Sequence, residues 1–170
     1  LMTGETILED GVLWIVGNRI KVVGTADQLT IPPGTRMVDA RGTSIVPGFV
    51  DVHDHGAQSN QGIHPEQSWS HLALLAFGVT TIHDPSNDTH SIFAAAELAR
   101  AGHTVSPRIY STGTILYGAQ STVKAIVESL DDARSHLRRM KAIGARSVKS
   151  YNQPRRDQRQ MVRTAAQELD

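Results

Sequence analysis

The chain has 170 residues, with 17 Lys plus Arg balancing 17 Asp plus Glu for a formal net charge of zero. That balance gives no electrostatic case for nucleic acid or an anionic membrane and points to a small-molecule partner. There is no cysteine, which excludes a disulfide framework and a thiolate metal site and leaves His or carboxylate to hold any transition metal.

No apolar run approaches the roughly 20 residues that span a bilayer, and the N-terminus lacks the basic and apolar regions of a signal peptide. The compartment is left open. The first residues read as short strands: Thr6 to Leu8, Val12 to Val16 and Arg19 to Val23, separated by Asp10-Gly11 and Gly17-Asn18 and closed by Gly24. Glycine permits the positive φ of such tight connections. Pro32-Pro33-Gly34 forces a loop, after which Arg36 to Asp39 and Thr43 to Val46 each add a strand. Residues 1–46 are therefore expected to form a small β domain.

An apolar run, a Pro-Gly turn and two histidines follow in IVPGFVDVHDHG, residues 45–56. Side chains two apart on a strand point to one side, so His53 and His55 would aim together. Two neutral imidazoles so placed are a half-site for a borderline-soft ion such as zinc. The same His-x-His pattern also occurs on ordinary surface strands that bind nothing.

From Phe49 onward strands alternate with helices. The helix after FVDVH begins near Pro65 and carries Trp69, Leu72, Ala73 and Ala76 at helical spacing before Gly78. Val79 to His83 is the next strand, rich in β-branched residues and broken by Asp84-Pro85. Ser91 to Ala101 is a helix with Ile92, Ala95, Ala96 and Ala99 on one face, and Arg108 to Ser111 is the third strand. A long connection with Gly113 and Gly118 leads into a helical stretch from about Thr122 to Ser129. Asp131-Asp132 open another helix, where the dipole favours negative charge, with Ala133, Leu137 and Met140 as its stripe. Arg146 to Tyr151 is a strand, and Pro154 opens a last helix carrying Val162, Ala165, Ala166 and Leu169.

Repeated strand–helix units with a parallel sheet make the fold class α/β. A closed eight-unit barrel takes about 250 residues, and Phe49 to Asp170 holds about four units, so the chain reads as half a barrel. Leu1 lies in mid-pattern and Asp170 inside a helical pattern, so both ends read as cut.

Three stretches carry a resemblance: VDARGTSIVPGFVDVHDHG, FGVTTIHDPS and GARSVKSYNQP. In that order they resemble the amidohydrolase superfamily of metal-dependent hydrolases, in the branch of imidazolonepropionase-like and prolidase-like enzymes. The resemblance implies that residues 1–46 are part of a β-sandwich. It makes residues 47–170 the first four or so βα units of a TIM-type (β/α)8 barrel. His53 and His55 fall on the first-strand metal ligands, at the C-terminal mouth where barrel active sites sit. Lys149 sits where several branches use a lysine whose amine has captured carbon dioxide, the carbamate bridging two metals. Its other reading is a lysine that snorkels to water at a strand end.

His83 and Asp84, after the second strand, either line a substrate pocket or form a hydrogen-bonded pair that fixes the loop. Tyr151 shares the Lys149 strand face and either reaches substrate or packs on the next loop. His64 reads as a cap or exposed residue, and His71, His90, His103 and His136 as surface residues. Arg155, Arg156 and Arg159 read as a solvated helix face.

The activity implied is hydrolysis of an amide, cyclic amide, peptide-like or ester bond by a metal-activated hydroxide, with one or two divalent ions, zinc foremost. The family's later ligands and its proton-handling aspartate would lie beyond Asp170, so the isolated chain is expected to be weakly active at best. Its partners would be a small-molecule substrate and either a second copy or a missing C-terminal half, with no nucleic acid and no membrane. A metal-dependent deaminase, and a non-catalytic half-barrel acting only in assembly, are the alternatives.

Overall fold

The computed structural model describes residues 1–118 and 124–169 and divides into two units, Leu1–Gly48 and Phe49–Asp170. In the first unit β1 (Gly11–Val16) and β2 (Arg19–Thr25) form an antiparallel hairpin. Gly17 turns the chain at φ +60°, a conformation open to glycine. Thr6 to Leu8 shrinks to a single bridge between Met2 and Ile7.

The strands expected at residues 36–39 and 43–46 do not form. A strand needs a neighbour to take its backbone groups. Here the Thr43 N–H turns back to the Ala40 carbonyl, and Ile45 receives one bond from Met2. Met37 and Val38 stay 67% and 77% exposed, so no burial offsets the cost of extending them.

The second unit alternates strands and helices. β3 (Phe49–Asp51), β4 (Val79–Asp84) and β5 (Arg108–Ser111) make a parallel sheet in that order. β6 (Leu116–Tyr117) lies between β7 (Ala125–Ile126) and β8 (Ser150–Tyr151) in a second parallel sheet. Helices α1 (Trp69–Ala76), α2 (Thr89–Arg100), α3 (Leu130–Ala142) and α4 (Arg156–Gln167) connect or follow the strands. None of the described helices is long and apolar enough to cross a membrane.

Several expected boundaries move. β3 stops at Asp51 because that carboxylate accepts the His53 N–H at 2.9 Å, an Asx-type turn that bends the chain off the sheet. His53 and His55 therefore sit on a loop, and strand alternation does not align them. The helical stretch expected from Thr122 lies partly outside the described residues, and its remainder holds β7. The strand expected at residues 146–151 narrows to β8.

Helix α1 begins at Trp69 rather than near Pro65 and turns a different face inward. Its eight residues carry two overlapping stripes, Trp69-Leu72-Ala76 and His71-Leu74-Leu75. The second wins: His71 is 5% exposed, while Trp69 is 80% exposed. His71 is thus a buried residue, not the surface one expected. The same correction applies to His136, 3% exposed, which shares the α3 stripe of Ala133, Leu137 and Met140.

Leu116 from β6, Val127, Ala133 and Leu137 from α3, and Val162 and Ala165 from α4 form the apolar cluster beneath the second sheet. Gly118 allows the end of β6 to approach the chain before α4, since a Cβ there would run into Pro154 and lie 2.9 Å from Gln153 Cα. Helix α3 is held at its start by a capping box, in which Ser129 Oγ accepts the Asp132 N–H at 3.1 Å and the Asp132 carboxylate accepts the Ser129 N–H at 2.8 Å. Ser129→Ala is expected to cost about 1 kcal/mol, read as a lower urea midpoint at unchanged slope.

His136 gives this cluster a pH dependence. Its Nε2–H donates to the Thr114 carbonyl at 2.9 Å, while Nδ1 is buried with no partner among the described residues. Burial pushes the imidazole below its usual pKa; the Thr114 carbonyl opposes this and the Arg139 charge adds to it. The unfolded chain, with histidine near pH 6.5, then binds the proton that the folded chain refuses. Stability should fall as pH drops below about 6.5, down through the depressed folded value. His136→Gln keeps the donor to Thr114 and removes the titration. Its melting temperature should therefore decline less than wild type between neutral pH and pH 5.

Candidate metal centre

The loop after β3 is tied to the end of β4 by backbone and side chain together. The Asp54 N–H donates to the His83 carbonyl at 3.1 Å. His55 Nδ1 lies 3.2 Å from Asp84 Oδ1. Asp84 is 0% exposed, and its other contacts come from the Ser86 N–H at 2.9 Å and Asn87 Nδ2 at 2.6 Å. Asn87 Nδ2 also donates to the Gly56 carbonyl at 2.8 Å, closing the loop on itself.

A carboxylate accepts and does not donate, so His55 presents Nδ1–H to Asp84, and in the neutral imidazole the lone pair is then on Nε2. That tautomer is the one a metal ligand needs, with the carboxylate fixing the ring. The His53 ring stands edge-to-face against it, centroids 4.9 Å apart and planes at 79°. Metal–nitrogen distances of about 2.0–2.1 Å put two imidazole centroids about 5 Å apart on one tetrahedral ion, a separation the pair matches. The His55 side chain is 49% exposed, leaving Nε2 room for a ligand. Among the described residues no group of three or more His, Asp or Glu side chains gathers closely enough to complete a metal shell.

Asp54, between the two histidines, has its carboxyl pushed above the usual range by burial and by the charges of Asp51 and Asp84, with His71 and His55 pulling the other way. His83 turns Nε2 to Ser147 Oγ at 2.8 Å, linking the end of β4 to the segment that leads to β8. Lys149 Nζ stands over the Tyr151 ring at 5.0 Å. Tyr151 stacks on Tyr117 with centroids 5.9 Å apart, and Lys124 Nζ covers the Tyr117 ring at 4.6 Å. The structure thus joins His53 to His55 in one cluster, and Lys149 to Tyr151 in another.

Sequence reasoning offered two roles for Asp84 and did not find its partner. The carboxylate is part of a hydrogen-bonded pair, with His55 rather than with the adjacent His83. Its signal was the run Asp84-Pro85-Ser86-Asn87, a carboxylate at a strand end followed by a forced turn and two donors.

No protein-family model matches the chain. A dihydroorotase of Anaeromyxobacter sp. (strain K) is 32% identical over 115 residues, 65% of this chain and 26% of the relative. Adenine deaminase 2 of Bradyrhizobium sp. (strain ORS 278) is 32% identical over 134 residues, 78% of this chain and 21% of the relative. An imidazolonepropionase of Symbiobacterium thermophilum is 40% identical over 58 residues, 32% of this chain and 14% of the relative. The chain thus spans about a quarter or less of the length of these curated relatives. A prolidase solved with N-methylphosphonate-L-proline shares the fold at TM-score 0.64 and 22% identity, covering 84% of this chain and 42% of that one. Among these relatives the enzymes named by sequence are all of one kind, and the chain belongs to the amidohydrolase superfamily.

Proposed function

We propose that this chain carries the opening part of the active site of a metal-dependent hydrolase acting on amide, cyclic amide or peptide-like bonds. The observation that carries the reading is the buried Asp84 carboxylate on His55 Nδ1, which leaves Nε2 free beside the His53 ring. His53 and His55 would hold one or two divalent ions, zinc foremost. Such an ion, when bound, polarises a carbonyl and acidifies a water. Asp84 keeps His55 in the ligating tautomer, and Ser86 and Asn87 keep Asp84 in place. His83 and Tyr151 would line the substrate path.

In the same proposal residues 47–170 are the first four or so units of a (β/α)8 barrel and residues 1–46 part of a β-sandwich. Lys149 would serve as a carbon dioxide-derived carbamate. Its present seat over the Tyr151 ring suits an ammonium, because a ring face attracts cations. Carboxylation replaces that cation with an anion and would draw the side chain off the ring.

A metal-dependent deaminase is the second reading, supported by the adenine deaminase match over 78% of the chain. Turnover of a panel of amides, dipeptides and aminopurines with added zinc, by this chain and by a longer version of the protein, separates the two. Amide cleavage by the longer version, a weak response from the 170-residue chain and a carbamate carbon-13 signal in labelled bicarbonate are expected. Release of ammonia from the aminopurine alone would favour the deaminase. Absence of both reactions and of bound metal would leave a non-catalytic assembly role.

A further inference from the structure

A cavity of about 920 Å³ opens between the start of α2, the segment leading into β6, the strand β7 and helix α3. Ser86, Asp88 and Thr89 line it on one side, and Lys124, Arg139 and Met140 are among the residues across from them. His53, His55, Asp84 and Lys149 take no part in its walls. Small-molecule sites usually measure about 300–1,000 Å³, so the space suits a ligand rather than a few waters.

Two of the lining residues are cations, and neither has an acid beside it. Lys124 and Arg139 enter no ion pair among the described residues, whereas Arg134, also on α3, pairs with Asp131 and Glu168. Lys124 is half-buried, and its ammonium lies 4.6 and 5.3 Å from the ring centroids of Tyr117 and Tyr151. A ring face attracts a cation without supplying the oxygen acceptors that its N–H groups take in water. Arg139 adds a guanidinium on an exposed side chain.

The one carboxylate among the described lining residues, Asp88, is already engaged. It caps α2 by accepting the Ser91 N–H at 2.9 Å, and its charge is set against the positive end of that helix. The hydroxyls of Thr89 and Thr114 bond each other at 2.8 Å, and the Asn87 amide donates to Asp84 and to the Gly56 carbonyl. What is left for an occupant is two cations, the Ser86 hydroxyl and an apolar side made by Ile115, Ala125 and Met140. A cleft with an excess of one sign of charge concentrates the opposite sign, and two cations match a dianion. The apolar side calls for carbon on the same ligand.

We propose that this cavity binds a small phosphate monoester, its phosphoryl oxygens taken by Arg139 and Lys124 and its carbon skeleton lying against Ile115, Ala125 and Met140. Such a group carries about −1.5 to −2 charge near neutral pH, and a guanidinium meets its oxygens with paired donors. An amine would be repelled by both cations, and a neutral polyol would leave them unmatched.

Glycerol 2-phosphate is the probe and glycerol its uncharged counterpart, each titrated calorimetrically into the 170-residue chain. Protein and buffer are first stripped of metal on a chelating resin, so that no ion at His53 and His55 recruits the phosphate. Saturable binding of glycerol 2-phosphate is expected, with glycerol weaker by about tenfold or more. Lys124→Gln and Arg139→Gln should each weaken the phosphate ester by about tenfold. Both should melt as wild type does, since neither charge is paired in the fold. Arg138→Gln, beside Arg139 on α3 and outside the cavity walls, should bind as wild type does. No saturable binding, equal binding of glycerol, full affinity in both cavity variants, or an equal loss in Arg138→Gln would overturn the proposal. The comparison of glycerol 2-phosphate with glycerol uses the native chain and needs no variant to fold.

Discussion

Replacing His53 and His55 together by alanine is expected to abolish zinc binding by the 170-residue chain and to leave its fold intact. Structural zinc sites with four ligands bind with about 10–16 kcal/mol, so each ligand contributes on the order of 3 kcal/mol, about 100-fold in affinity. Either single change should therefore weaken binding by about 100-fold, and the double change should take it out of the measurable range. The fold should survive because His53 is exposed and the His55 side chain is 49% exposed, so neither fills the core. Calorimetric titration with zinc reads the affinity, and far-UV circular dichroism reads the fold. A double variant that binds zinc as wild type does would remove both residues from the site.

Asp84 should separate two effects that the histidines combine. Asp84→Asn keeps the size of the side chain and an acceptor oxygen but offers His55 a neutral partner. A lost outer-shell carboxylate typically costs about 10- to 100-fold in metal affinity, and that is the expected result. Asp84→Ala goes further, because the Ser86 N–H, the Asn87 amide and His55 lose their acceptor in a position that is 0% exposed. Leaving such donors unpaired should cost about 2–4 kcal/mol of stability in addition to the lost affinity. The expected pattern is a zinc defect with near-native melting for Asn and a zinc defect with a clear fall in melting temperature for Ala. Equal zinc affinity in all three proteins would make Asp84 a loop anchor only.

The contrast between Asp84 and His53 shows which parts of the molecule local sequence carries. β4 and β5 stand where β-branched runs and turn residues put them, and the α3 stripe of Ala133, Leu137 and Met140 packs as its spacing demands. These elements were legible because their own periodicity decides them. His136 was misread as a surface residue although it lies one helical step inside that stripe. Residue type suggested a surface, and position set the burial.

Other features depend on partners far away in the chain. The His55–Asp84 pair joins residues 29 apart, and β8 exists because Leu116 takes the Lys149 carbonyl. No local pattern encodes either contact. Residues 36–39 and 43–46 have strand composition and no neighbour to pair with, so composition alone misleads there. In α1 two stripes compete within eight residues, and packing chooses the one that buries His71. For the His-x-His motif a strand was expected to align the rings; in the structure an Asp51 turn and the Asp84 carboxylate place them instead.

We propose that His53 and His55 form a metal half-site oriented by Asp84. Its most direct test is a zinc titration of the chain by calorimetry, with nitrogen-15 NMR of the His55 ring. Saturable binding is expected, with His55 Nε2 shifting on metal addition while Nδ1 keeps its proton to Asp84. Zinc that fails to bind, or that perturbs Nδ1 instead of Nε2, would contradict it.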